Sequence, residues 1–197
     1  MRTKKVLGYG NLANYITLLG LIVSLSSCFF ALNENLKVSV ILLIAAGICD
    51  LFDGVIARKI KRTDLEKEFG IQLDTAADVV SFGITSAVIV YSDAGAAWYA
   101  LAVYVFYVVC AVIRLAYYNT SAVSSGTSAY YHGLPVTYIA LILPIILLFH
   151  IPLVSIIALG IVGALFILNI KIPKPRGVWY VLFPVFAAVL IALWWCL

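Results

Sequence analysis

Charged side chains are scarce in this sequence. Asp, Glu, Lys and Arg make up only 11% of its 197 residues, while 64% of the residues are hydrophobic and the mean hydropathy is +1.11. Soluble domains carry about a quarter charged residues. The scarcity excludes an ordinary soluble protein and predicts an integral membrane protein. Few residues lie outside apolar runs, so we expect a single membrane domain over residues 1–197.

Two further patterns are missing. The four cysteines fall within apolar segments without CxxC spacing, which argues against a disulfide framework and against a zinc site. No basic stripe with interleaved aromatic residues exists, so we expect no nucleic-acid partner.

Long apolar runs are what the sequence does have. A membrane-spanning helix needs about 20 apolar residues. The runs predict an all-α, polytopic helix bundle with six to seven spans, at 13–33, 36–58, 70–91, 96–118, 134–150, 153–170 and 178–197. The stretch Leu25–Cys28 is similar to a lipoprotein cleavage box, but we expect the first apolar run to be retained as a span.

The basic residues predict the orientation of these spans. If the N-terminus is cytoplasmic, twelve of the thirteen Lys and Arg residues lie on the inner side, and only Lys37 lies outside. This distribution follows the positive-inside rule. The polar inner loops are then 59–69, 119–132 and 171–177, and we expect function to face the cytoplasm.

Four aspartates interrupt the second and third apolar runs. Asp50 and Asp53 are three residues apart, Asp74 and Asp78 are four apart, and both spacings place a pair on one helix face. At 1.5 Å per residue, Asp50 lies about 12 Å before Arg58 and Asp78 lies about 12 Å after Gly70, so the depths match if the two helices are antiparallel neighbours. The sequence therefore predicts that four carboxylates converge about two turns below the cytoplasmic surface.

A cluster of this kind requires a cation. An ionised carboxylate in hydrocarbon costs several kcal/mol unless it is paired, metal-bound or facing water. Oxygen ligands favour Mg²⁺ or Mn²⁺, with Ca²⁺ as an alternative, and there is room for two ions, as in many sites of phosphoryl chemistry. The small residues Gly54, Ala57 and Gly70 would let a nucleotide approach the backbone, or would only permit close helix packing.

The aspartates and small residues together form a recognisable pattern, D-x2-D-G-x2-A-R-xn-G-x3-D-x3-D. It resembles the signature of the CDP-alcohol phosphatidyltransferases, membrane enzymes that transfer a phosphatidyl group from a CDP-linked lipid to an alcohol and release CMP. All eight fixed positions match: Asp50, Asp53, Gly54, Ala57, Arg58, Gly70, Asp74 and Asp78. The eleven residues between Arg58 and Gly70 exceed the family's usual spacing, and we expect the inner loop to absorb them.

The resemblance implies a role for each of these residues. Asp50, Asp53, Asp74 and Asp78 would hold the metals, and Asp78 would also be the general base. The nucleotide-binding residues would be Asn14, Thr17, Gly54, Ala57, Arg58 and Gly70. The resemblance also implies a homodimer in a cell membrane.

Further segments resemble those of the family's serine-using members. They are the Asp78–Gly83 stretch, the Ile113–Asn119 stretch, Gly133–Pro135, and the Asn14 to Thr17 pair. Two departures are Tyr117, where a second arginine is usual, and Thr85-Ser86 in place of Ala-Pro. The implied substrates are CDP-diacylglycerol and L-serine, with Ser81, Arg114 and Asn119 as candidate residues for binding the acceptor or a phosphate.

Alternative hypotheses change the acceptor, the lipid donor or the class of protein. The acceptor could be inositol phosphate or glycerol phosphate, although phosphorylated acceptors should need more basic residues than Arg114 and the 171–177 loop supply. The donor could be an archaeal-type ether lipid. A more distant alternative is a cation transporter, which predicts polar residues through the full membrane depth. The outer halves of the second and third spans offer few of them.

Overall fold

Helices account for most of the described chain. The computed structural model describes residues 8–95, 97–125, 130–173 and 179–196. Its helices are α1 (Leu12–Leu32), α2 (Leu36–Lys59), α3 (Asp64–Ala94), α4 (Trp98–Ser125), α5 (Val136–Leu147), α6 (Pro152–Ile167) and α7 (Trp179–Cys196). The fold is an all-α, membrane-type bundle, as the apolar runs predict. Five of the basic residues used to predict orientation lie outside the described residues: Arg2, Lys4, Lys5, Lys174 and Arg176.

The described helices differ in length. Helices α1 to α4 are long and apolar enough to cross a membrane, whereas α5, α6 and α7 are shorter apolar helices. The 16 residues of α6 extend only about 24 Å, less than the roughly 30 Å of a hydrocarbon core. The last three predicted spans are therefore shorter than their apolar runs.

Side-chain caps set where the long helices begin. The Asn11 carboxamide accepts the Asn14 N–H at 3.0 Å at the start of α1, and Asn35 accepts the Val38 N–H at 3.2 Å at the start of α2. Helix α3 begins with a capping box in which Thr63 and Glu66 satisfy each other's backbone N–H groups.

This capping box changes one expectation. The apolar run places the start of the third helix near Gly70, but the helix begins at Asp64. Hydropathy cannot detect this first segment, because four of its six residues, 64–69, are charged. Most of the long 59–69 segment is thus an extension of α3, with only a short connection left as loop.

Helix α3 changes its winding in the middle. It is α-helical over Asp64–Asp78, π-helical over Val79–Ile84 and α-helical again over Thr85–Ala94. The Ser24 hydroxyl donates to the Ser81 carbonyl at 3.3 Å, and the Tyr107 hydroxyl donates to the Phe82 carbonyl at 2.7 Å. Neighbouring helices therefore hydrogen-bond backbone carbonyls of the π-helical segment, which directly follows Asp78.

The core lies where the helices approach most closely. Helix α1 packs along α2, α4 packs along α6, and α7 packs against α2. The interior is formed by aliphatic and aromatic side chains, among them Leu43, Ile44, Phe82, Tyr107, Leu143 and Phe166. A Cβ added at Gly47 of α2 would come within 2.7 Å of the Ala140 Cβ, so α5 can reach this position only because Gly47 has no side chain.

Two of the predicted inner loops pair with each other. Strands β1 (Tyr130–His132) and β2 (Lys171–Pro173) form an antiparallel ribbon in which Tyr131 lies opposite Ile172. Gly133, at φ 77°, follows β1, and its N–H donates to the Ile170 carbonyl at 2.9 Å. A Cβ at Gly133 would collide with the Phe166 carbonyl oxygen. The sequence predicts loops at 119–132 and 171–177, and it contains no strand pattern long enough to reveal this ribbon.

Candidate active site

Helices α2 and α3 bring three of the four aspartates together. Asp50, Asp74 and Asp78 each offer a carboxylate oxygen, and these three oxygens lie within 4.8 Å of one another. Thr137, at the start of α5, lines the same cavity as these three aspartates. Three hard oxygen donors at this separation fit the oxygen-ligand preference of Mg²⁺ or Mn²⁺ and could hold such an ion.

Asp53 lies beside this group but is held differently. It is 5% exposed, and its Oδ2 accepts a hydrogen bond from the Thr17 hydroxyl of α1 at 2.5 Å. Asp53 lines the same cavity as the other three, yet it is not part of the set whose oxygens lie within 4.8 Å. The two aspartates of α2 therefore have different neighbours. Asp50 lies near the aspartates of α3, and Asp53 contacts α1.

The aspartates lie at the polar end of a cavity of about 700 Å³. Arg58, Thr75, Arg114, Asn119 and Thr137 also line this end. The apolar part of the lining comes mainly from α5 and α7, through Leu141, Ile142, Ile145, Leu182, Phe183, Val185, Phe186 and Val189. A cavity with carboxylates at one end and a hydrocarbon-like wall at the other suits an amphipathic ligand.

The predicted nucleotide-binding residues fall into two groups. Gly54 and Arg58 line the cavity beside the aspartates. Asn14 and Gly70 lie next to each other outside its lining, since a Cβ at Gly70 would be 3.2 Å from the Asn14 Oδ1 and 3.2 Å from the Arg62 Nη1. Ala57 belongs with this second group, because Arg62 donates to its carbonyl at 2.9 Å.

The three candidate acceptor residues also separate. Arg114 and Asn119 of α4 line the cavity, and the Asn119 amide donates to the Thr75 hydroxyl at 2.7 Å. Ser81 is buried in the π-helical segment and is not among the residues that line the cavity. The geometry therefore keeps Arg114 and Asn119 as residues that a ligand could touch, while Ser81 lies against α1.

Sequence reasoning missed several residues of the site. Thr75, Tyr118, Tyr131 and Thr137 all line the cavity, but each is a single polar or aromatic residue in an apolar or loop segment. Thr75 directly follows Asp74 in the sequence, and this adjacency is a weak signal that Thr75 belongs to the site. Tyr131 carries no local signal, because the ribbon that positions it pairs two segments about forty residues apart.

Fold and site together define a class of protein. The protein is an all-α, membrane-type helix bundle whose cavity is lined by both carboxylates and apolar side chains. The family model for CDP-alcohol phosphatidyltransferase matches residues 10–172, and the chain belongs to this family.

Individual relatives refine the comparison. The chain is 34% identical over 122 residues to a CDP-diacylglycerol–serine O-phosphatidyltransferase of Mycobacterium tuberculosis, covering 61% of this chain and 42% of the relative. It is 36% identical over 108 residues to a protein of the same name from Saccharomyces cerevisiae, covering 51% and 38%. An archaetidylserine synthase of Methanothermobacter thermautotrophicus is 29% identical over 180 residues, covering 90% and 76%. The matched region spans less than half the length of the mycobacterial and yeast relatives.

Proposed function

We propose that this protein transfers the phosphatidyl group of CDP-diacylglycerol to L-serine, giving phosphatidylserine and CMP. The observation that carries the proposal is the carboxylate group of Asp50, Asp74 and Asp78 at the polar end of an amphipathic cavity. Family membership supports the reaction class, and it favours an enzyme over the cation transporter. The names of the relatives support serine as the acceptor.

In this proposal Asp50, Asp53, Asp74 and Asp78 hold Mg²⁺ or Mn²⁺, as two ions. When bound, the ions supply positive charge that positions the donor diphosphate and offsets the charge developing on it. Thr17 orients the Asp53 carboxylate through the hydrogen bond from its hydroxyl. Such outer partners fix the direction in which a carboxylate presents its lone pairs.

Asp78 is the proposed general base. One of its oxygens takes the proton of the serine hydroxyl, and the serine oxygen attacks the phosphorus that bears the diacylglycerol. The bond from this phosphorus to the oxygen of the CMP phosphate breaks, and CMP leaves with the electron pair. CMP is stable as an anion, so the step needs no strong general acid.

The two ends of the cavity suit the two ends of the donor. Gly54 and Arg58 lie where the diphosphate and ribose would meet α2, and we assign Asn14, Thr17, Ala57 and Gly70 to the same nucleotide region. The apolar wall from α5 and α7 offers a surface for the lipid chains. Such a wall does not distinguish acyl from ether chains, and the archaetidylserine synthase relative makes an ether-lipid donor the second candidate.

We also propose a location, an orientation and an oligomeric state for the enzyme. The protein is a multi-pass protein of a cell membrane, with a cytoplasmic N-terminus and its active site facing the cytoplasm. It acts as a homodimer. The distribution of basic residues supports the orientation, and the family resemblance supports the dimer.

The first experiment is CMP release by the purified protein from CDP-diacylglycerol with Mn²⁺ or Mg²⁺, in the presence and absence of serine. Serine-dependent release with a phosphatidylserine product is the expected result. CMP release only with inositol phosphate or glycerol phosphate would show that the acceptor is that alcohol and not serine. Faster CMP release from a CDP-linked ether lipid than from CDP-diacylglycerol would show that the preferred donor is the ether lipid. No release with any alcohol or metal would overturn the proposed chemistry and return cation transport as the leading reading.

A further inference from the structure

Arg114 lies beside a pair of tyrosine rings that contact each other in the wall of the cavity. It is only 8% exposed, and its Cζ lies 5.1 Å from the centroid of the Tyr118 ring and 5.9 Å from that of Tyr131. The two ring centroids are 5.7 Å apart, with the planes tilted by 58°. Tyr118 follows Arg114 by one turn of α4, while Tyr131 comes from the ribbon.

The hydrogen bonding of Arg114 leaves one of its donors available to a ligand. Its Nε–H is buried and has no hydrogen-bond partner among the described residues. Within those residues, no carboxylate lies close enough to Arg114 to form a salt bridge. A buried donor left unpaired is unfavourable. A planar guanidinium can bind a carboxylate through two parallel N–H groups, one of which is Nε–H.

We propose that Tyr131 positions Arg114 to bind the carboxylate of an amino-acid acceptor, so that the ribbon contributes to acceptor specificity. The inference rests on the proposed function. Cation–π contacts with Tyr118 and Tyr131 hold the guanidinium plane and leave its edge for the ligand. A single guanidinium matches one carboxylate, whereas a phosphorylated acceptor would bring more negative charge close to Asp50 and Asp78.

The ribbon fixes the Tyr131 ring in space. Tyr131 is paired with Ile172, and the turn after β1 depends on the positive φ of Gly133. Tyr130 precedes it on the same strand, is 49% exposed and does not line the cavity. The chain therefore offers a neighbouring tyrosine as a matched control.

The test compares Tyr131→Leu, Tyr131→Phe and Tyr130→Leu in the CMP-release assay. Tyr131→Leu should raise the KM for serine roughly tenfold, the effect expected from losing one cation–π contact. Its kcat and its KM for CDP-diacylglycerol should stay within about twofold of wild type. Tyr131→Phe keeps the ring and should behave as wild type, as should Tyr130→Leu.

A double-mutant cycle shows whether Tyr131 acts through Arg114. In an Arg114→Gln background, Tyr131→Leu should have no further effect on the KM for serine, because the positioned group is gone. An additive effect, or an unchanged KM for serine in Tyr131→Leu alone, would overturn the inference. A parallel loss of affinity for CDP-diacylglycerol would also overturn it, since that would indicate general damage.

A second variant covers the case in which Tyr131→Leu does not accumulate. Arg114→Lys retains the charge but lacks the planar fork. It should weaken the use of serine more than the use of serinol, which has no carboxylate. Equal effects on both acceptors would overturn the inference. If the wild-type protein shows no serine-dependent release at all, the proposed function fails and the inference fails with it.

Discussion

At the scale of single residues, the chemistry depends on carboxylates placed where a membrane protein can least tolerate them. Asp50, Asp74 and Asp78 present oxygens within 4.8 Å of one another, and Asp53 lies beside them with the Thr17 hydroxyl as its partner. Mutual repulsion in a largely apolar setting makes this group unstable unless positive charge joins it.

Asp78→Asn should abolish transfer while leaving metal-dependent binding of the CDP-linked lipid largely intact. The amide cannot accept the serine proton but keeps one oxygen of similar shape. We expect the rate of CMP release to fall by about 10²- to 10⁴-fold, the contribution typical of a general base. Asp64→Asn, at an exposed residue paired with Lys67, is the matched control and should keep its rate. Near-normal turnover of Asp78→Asn would show that the general-base assignment is wrong.

Thr17→Val should weaken metal binding. The substitution removes the hydrogen bond to Asp53 but nearly preserves the side-chain volume. The concentration of Mn²⁺ or Mg²⁺ that gives half-maximal CMP release should rise about tenfold, as is usual when an outer partner of a metal ligand is lost. Thr17→Ser keeps the hydroxyl and serves as the control. An identical metal dependence in all three proteins would separate Thr17 and Asp53 from the metal site.

At the scale of elements, local signals predict some boundaries and miss others. The apolar runs locate the cores of the helices, and the i,i+3 and i,i+4 spacings place each aspartate pair on one helix face. The capping box formed by Thr63 and Glu66 is visible as a sequence motif, but it lies outside the apolar run from which the start of the helix is predicted. The π-helical Val79–Ile84 segment has no local pattern, because the groups that satisfy its carbonyls come from α1 and α4.

Tyr107→Phe tests whether these partners stabilise the π-helical segment. Tyr107 is fully buried, and its hydroxyl donates to the Phe82 carbonyl at 2.7 Å. Loss of this donor should destabilise the protein by about 1–3 kcal/mol, because a buried carbonyl loses its partner. The measurement is the thermal unfolding midpoint in detergent, with Tyr99→Phe at a half-exposed tyrosine of α4 as the control. Equal midpoints for the two variants would show that the bond contributes nothing.

At the scale of the whole molecule, the bundle brings together parts of the chain that no local pattern connects. The cavity wall combines α2, α3, α4, α5, α7 and the ribbon. The proposed function requires the carboxylates in this wall to face a compartment that supplies CDP-linked lipid and serine. The predicted orientation makes that compartment the cytoplasm, and the two ends of α2 provide a direct test of it.

Cysteine labelling should show opposite accessibility for the two ends of α2. In a protein whose four native cysteines have been replaced, Glu34→Cys should react with a membrane-impermeant maleimide in intact spheroplasts. Lys61→Cys should react only after the membrane is opened, because the basic residues hold that end inside. Both side chains are exposed, so accessibility reports the side of the membrane and not burial. The reverse pattern would invert the topology and place the aspartates near the outer surface.

The sequence by itself determined that the chain spans a membrane as a helix bundle, and that two antiparallel helices carry paired aspartates at matching depth. These features follow from composition and from the helical repeat, which are local properties. Only the tertiary structure decided that Asp53 meets Thr17, that Arg114 lies beside both Tyr118 and Tyr131, and that segments of the predicted inner loops pair as a ribbon. Such contacts depend on how each helix rotates against its neighbours. That rotation is set by packing between residues far apart in the chain, and no local pattern records it.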